Sequence, residues 1–251
     1  MRWLGLFLVG CGASSVSPPV TAPEPPPAPV VEKPSDGLTD VGADLRGLTV
    51  GASGARPVLV ALHGRGDHPS RFVGLAKGWA DVAHVVVPAA TIPYGEGFSW
   101  FNIRASQDDP TLAAAVSEAV RRVVQLVNAR RPDGHPVVVT GFSQGGMLSF
   151  ALATHETRVV DGAVPMGGFL PRGMWPESKP DNPPPIFAVH GEADTIIPVT
   201  APRATVAHLE SLGWPVELVT TPGVGHSLTP DMRRRVDVEA RKMLGGVDAD
   251  R

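Results

Sequence analysis

Five residues, Gly141-Phe142-Ser143-Gln144-Gly145, set a serine between two glycines directly after the apolar run Val137-Val138-Val139-Thr140. A Gly-x-Ser-x-Gly stretch in this context makes a sharp strand-to-helix turn that lifts the hydroxyl clear of a sheet. The glycines are required because the two backbones approach so closely that side chains would collide. Gly146 to Ala153 is an apolar, helix-capable continuation suited to burial against that sheet.

A serine hydroxyl attacks a carbonyl only when a base takes its proton, and the base needs a carboxylate to fix its tautomer and stabilise the imidazolium. With the serine on such a turn, the acid and then the histidine are expected later in the chain. Asp194 stands in His190-Gly191-Glu192-Ala193-Asp194, after the apolar run ending at Val189, with Glu192 as the rival acid. His226 stands in Gly223-Val224-Gly225-His226-Ser227, just before a final helical stretch. His155 and His208 fall within predicted helices, and His190 reads as a turn residue at a strand end. The oxyanion of a tetrahedral intermediate also needs backbone donors. One is the amide of Gln144; the second is assigned to Arg65 in Leu62-His63-Gly64-Arg65-Gly66-Asp67, its guanidinium reading as a surface charge.

These residues must be carried by rigid elements. From about Leu45, short β-branched runs alternate with longer helix-capable segments, the pattern of βαβ units and a mostly parallel sheet. Strands are predicted at 58–62, 85–87, 137–141, 163–166, 186–190 and 216–220, and helices at about 70–79, 111–128, 145–154, 199–212 and 230–243. Thr229, Pro230 and Asp231 form a good helix start. Each chemical motif falls at the carboxyl end of a predicted strand, where such sheets bind ligands. The fold expected is α/β, with helices on both faces of the sheet and a catalytic domain over 45–246. The segment 167–185 is rich in proline and glycine without a helical pattern, so no large lid and an open, shallow cleft are expected.

With 251 residues and 43% hydrophobic content, the chain can bury one sizeable core. Its formal charge of −3, with Arg233-Arg234-Arg235 as the only basic cluster, argues against a nucleic-acid partner. Cys11 is the single cysteine, so an intrachain disulfide is excluded. Arg2 and the apolar stretch Trp3 to Val9 suit a signal peptide over 1–10, and Leu8-Val9-Gly10-Cys11 resembles the lipobox of bacterial lipoproteins, which implies lipid attachment at Cys11. Pro18 to Pro34 holds eight prolines, which favours an extended linker across 11–44. A processed leader would anchor the domain to a membrane of the bacterial cell envelope, periplasmic or at the cell surface; an unprocessed one would leave it cytoplasmic. Residues 247–251 read as a tail, and the oligomeric state is left open.

Together, Leu62-His63-Gly64-Arg65-Gly66-Asp67, Gly141-Phe142-Ser143-Gln144-Gly145-Gly146, His190-Gly191-Glu192-Ala193-Asp194 and Gly225-His226 resemble the phospholipase/carboxylesterase family, which includes acyl-protein thioesterases and has the α/β-hydrolase fold. Trp100-Phe101-Asn102 also resembles that family's Trp-Phe-Asp segment near the acyl site, with Asn102 departing from the usual acid. Trp100 and Phe101 are thus candidates for substrate contact, with core packing as the alternative. The resemblance implies hydrolysis of small esters or thioesters of modest acyl length, without cofactor or metal. An esterase acting on polysaccharide acyl groups or polyesters would carry the same triad. A non-catalytic ligand-binding lipoprotein on this scaffold is the reading from another class.

Overall fold

The computed structural model describes residues 36–245, apart from 104–108 and 132. Cys11, the proline-rich segment and the tail at 247–251 lie outside the described residues.

Ten strands and five α-helices follow one another as β1 (Thr39–Gly42), β2 (Leu45–Val50), β3 (Val58–Leu62), α1 (Pro69–Ala76), β4 (His84–Pro88), β5 (Ile92–Tyr94), β6 (Gly97–Ser99), α2 (Asp109–Arg130), β7 (Val137–Phe142), α3 (Gln144–His155), β8 (Gly162–Met166), β9 (Ile186–Gly191), α4 (Thr200–Ser211), β10 (Val216–Thr221) and α5 (Pro230–Met243). Eight strands form one sheet in the order β1-β2-β4-β3-β7-β8-β9-β10. From β4 to β10 every pairing is parallel, while β2 pairs antiparallel with both β1 and β4. The six predicted strands and five predicted helices are all present, with ends shifted by one or two residues in most and α1 closing in a 3₁₀ turn at Lys77–Trp79. Strands β1 and β2 and the β5-β6 hairpin are additional. The sheet therefore begins at Thr39, upstream of residue 45 and inside the stretch read as linker. A four-residue edge strand carries too little alternation to stand out from a linker.

Because side chains alternate across a strand, the sheet has two apolar faces. Val58, Val60 and Leu62 of β3 join α2, α3 and α4 on one face, where Phe150, Leu148, Leu126 and Leu209 are buried. Leu59 and Ala61 of the same strand face α1 and α5, against Phe72, Val236 and Met232. Helices thus cover both faces, as expected. The segment 167–185 contains one short 3₁₀ turn, Arg172–Met174, and no α-helix. His155 Nε2 donates to the Met174 carbonyl at 2.7 Å and His208 Nε2 to that of Pro176 at 2.8 Å, which fixes this segment against α3 and α4.

Candidate active site

The turn between β7 and α3 is built by excluded volume. A Cβ on Gly141 would lie 2.6 Å from the Leu62 carbonyl oxygen and from the Gly145 backbone, and one on Gly145 would overlap Leu62 outright. Gly146 is pressed against the Met166 carbonyl in the same way, at 2.5 Å. With the chain forced this close, Ser143 takes φ 57° and ψ −113°. That left-handed backbone costs a non-glycine residue on the order of 1–3 kcal/mol and persists only when its surroundings over-determine it. Here the Ser143 amide donates to the Met166 carbonyl at 2.9 Å, and the Ser143 carbonyl accepts from the Met147 amide at 3.0 Å.

Ser143 Oγ lies 2.9 Å from His226 Nε2, and His226 Nδ1 lies 2.6 Å from Asp194 Oδ2. A carboxylate only accepts, so Nδ1 carries the proton and Nε2 presents its lone pair to the serine hydroxyl. Asp194 Oδ1 accepts from the Ile196 and Ile197 amides at 2.8 and 2.9 Å. Burial opposes the charge on Asp194, but the Ile197 amide, His226 and the Ile196 amide outweigh it and hold the carboxyl below its ordinary value of 3.8. The rival acid, Glu192, is committed elsewhere: its Oε1 accepts from Arg203 and from Thr220 Oγ1, each at 2.7 Å.

His190, read from sequence as a turn residue, also faces this carboxylate. Its Nε2 lies 2.8 Å from the Ile197 carbonyl and 3.3 Å from Asp194 Oδ2, in a fully buried position. The Ile197 carbonyl only accepts, so Nε2 carries the proton and donates to it. Burial pushes the His190 pKa below 6.5, against the smaller opposing effects of the Ile197 carbonyl and Asp194. Burial thus favours the neutral ring, which sits beside Asp194 while donating to the Ile197 carbonyl.

The loop after β3 is braced from three sides. Ala90 N donates to His63 Nε2 at 3.1 Å, which leaves the His63 proton on Nδ1, donating to the Gly64 carbonyl at 2.7 Å. Burial lowers the His63 pKa and keeps the ring in this neutral form. Gly66 N donates to the Phe98 carbonyl at 2.8 Å, and Phe98 N to that of Asp67 at 3.0 Å, so β6 is docked on the loop. The Arg65 amide donates to no group among the described residues. The Gln144 amide opens α3 and has no carbonyl one turn earlier to donate to. The Arg65 guanidinium is exposed and lies 5.3 Å from the Tyr94 ring.

Trp100 and Phe101 are buried in the core, 5% and 3% exposed. Trp100 Nε1 donates to the His63 carbonyl at 2.9 Å, and the Phe101 carbonyl accepts from Gln144 Nε2 at 2.7 Å. The buried Gln144 side chain also accepts from Trp100 N at 2.9 Å. No cluster of metal-ligating side chains is found among the described residues.

Residues 48–239 match the protein family described as phospholipase/carboxylesterase. A probable carboxylesterase of Oryza sativa subsp. japonica is 31% identical over 53% of this chain and 53% of its own length, so the match spans about half of that relative. Acyl-protein thioesterase 1 of Gibberella zeae is 24% identical over 77% of this chain and 93% of its own. Among solved structures, esterase PE8 shares the fold with a TM-score of 0.70 at 23% identity, covering 80% of this chain and 99% of that one.

Proposed function

This chain belongs to the phospholipase/carboxylesterase family of serine hydrolases, and from that premise we propose that it hydrolyses carboxylic esters or thioesters of short to medium acyl chain, with Ser143, His226 and Asp194 as its catalytic triad. One observation carries the reading: a single imidazole bridges the Ser143 hydroxyl and a buried, ionised carboxylate. As His226 Nε2 takes the hydroxyl proton, Ser143 Oγ bonds to the acyl carbon and the carbonyl electrons move onto oxygen. The Gln144 and Arg65 amides are the donors we assign to that oxyanion. The bond to the leaving group then breaks, with His226 returning the proton to the departing oxygen or sulfur. Water repeats the sequence on the acyl-enzyme and releases the acid. Asp194 stays ionised throughout, supported by the Ile196 and Ile197 amides and by His226.

The segment 167–185, which contains no α-helix that could serve as a large lid, supports small soluble esters over long-chain ones. Hydrolysis of a p-nitrophenyl ester series by the parent and by Ser143→Ala tests both points. The expected result is a loss of about 10³-fold or more in the variant and rates that decline toward long acyl chains. Equal rates in the two proteins would refute the triad. The Leu8-Val9-Gly10-Cys11 motif supports a lipid anchor at Cys11 and a place in the cell envelope.

A further inference from the structure

We propose that the cleft beside His226 receives the leaving group and selects one bearing an anionic group, held by Arg233 together with Arg71. The assignment rests on the esterase reading of Ser143. A cavity of about 570 Å³ opens there, with His226, Arg71, Arg233 and Asp67 on its walls and an apolar lining that includes Phe72 and Phe142. The departing oxygen must collect its proton from His226 Nε2, so the body of the leaving group lies on the His226 side of Ser143. The Phe142 ring packs on the His226 imidazole at 4.8 Å between centroids, offering a flat apolar surface at the mouth of that cleft.

The charges in the cleft do not cancel. Asp67 Oδ1 accepts from Arg71 Nε at 3.1 Å and from the His68 amide at 2.8 Å, and Arg71 Nη2 donates to the Gly66 carbonyl at 3.1 Å. Arg71 is thereby fixed in place by Asp67 on the wall, and Glu96 Oε2, outside the lining, lies 4.0 Å from its Nη1. On α5, Asp231 is engaged by Arg234 at 2.9 Å and Arg235 at 3.5 Å, and neither arginine lines the cleft. Arg233 does line it, and its guanidinium has no ion pair or hydrogen bond among the described residues. With Asp67 and Glu96 both set against Arg71, Arg233 is the guanidinium on the wall that has no carboxylate opposite it. A guanidinium fork matches a carboxylate or phosphate with two parallel hydrogen bonds. A neutral leaving group would use the apolar wall and leave Arg233 without a partner.

The test compares kcat/KM of the full chain for 4-acetoxybenzoate and its neutral methyl ester, two acetates that differ in the charge of the phenol released. The parent favours the anion, and Arg233→Gln lowers the anion-to-neutral ratio by about five- to tenfold, the range of a partly exposed ion pair of roughly 1 kcal/mol. Arg233→Lys keeps part of the ratio, and about 0.5 M salt erodes it in the parent. Ser143-dependent hydrolysis with the same ratio in parent and Arg233→Gln overturns the leaving-group assignment alone. If the parent cleaves neither ester faster than Ser143→Ala does, the esterase reading falls and takes this assignment with it.

Discussion

The His190 imidazole donates to the Ile197 carbonyl and lies 3.3 Å from Asp194 Oδ2, which sets a buried titratable group beside that carboxylate. Its folded pKa lies below the unfolded value of 6.5, so as pH falls below about 6.5 the unfolded chain binds a proton that the native ring refuses. Stability is therefore lost on acidification through that window. Asp194 adds a second loss at lower pH, because a depressed carboxylate stabilises the fold above 3.8 and ceases to as pH drops through its folded pKa. His190→Gln keeps an amide donor and removes the titration. Its Tm is expected to fall less than the parent's between pH 7.5 and 5.5, measured by thermal melts at each pH; an unchanged slope would place the sensitivity elsewhere, with His63 next in line. Ser143, Asp194 and His226 were legible in the sequence because each follows a β-branched run at a fixed offset. The part played by His190 was not, since a contact across a turn depends on how Ile197 folds back and leaves no periodic trace.

At the level of elements, the strand-to-helix turn is held by glycines whose importance differs by position. Gly145 sits against Leu62 with no room for a methyl group, whereas Gly74 in α1 has nothing within 4 Å of an added Cβ. Gly145→Ala is expected to destabilise by about 3 kcal/mol or more and to displace Ser143, while Gly74→Ala changes stability by no more than about 1 kcal/mol, in the favourable direction. Urea midpoints of the two variants check this contrast, and similar values would refute the close-contact account. The long helices and buried parallel strands could be read from hydrophobic pattern alone. The β5-β6 hairpin could not: three-residue strands carry no usable alternation, and their place is set by Gly97 packing on the Gly66 and Asp67 carbonyls, a contact distant in sequence. The loop bearing Arg65 is consequently braced by an element that only the fold reveals. The burial of Trp100 and Phe101 follows from the same bracing.

On the scale of the whole chain, the N-terminal motif and the catalytic domain make separate demands. If Cys11 carries a lipid, an alkyne-tagged fatty acid fed to a bacterial host expressing the full chain labels the protein, and Cys11→Ala removes the label; label retained in that variant would reject the site. Within the domain, Ser143 leads into α3, which packs on one face of the sheet, while His226 leads into α5, which packs on the other. The 2.9 Å contact between them thus spans two apolar layers that share only the strands. Loosening either layer separates nucleophile from base before the molecule as a whole comes apart. Working half-life is then limited by the weaker layer, and reinforcing the stronger one would raise the melting point without prolonging catalysis.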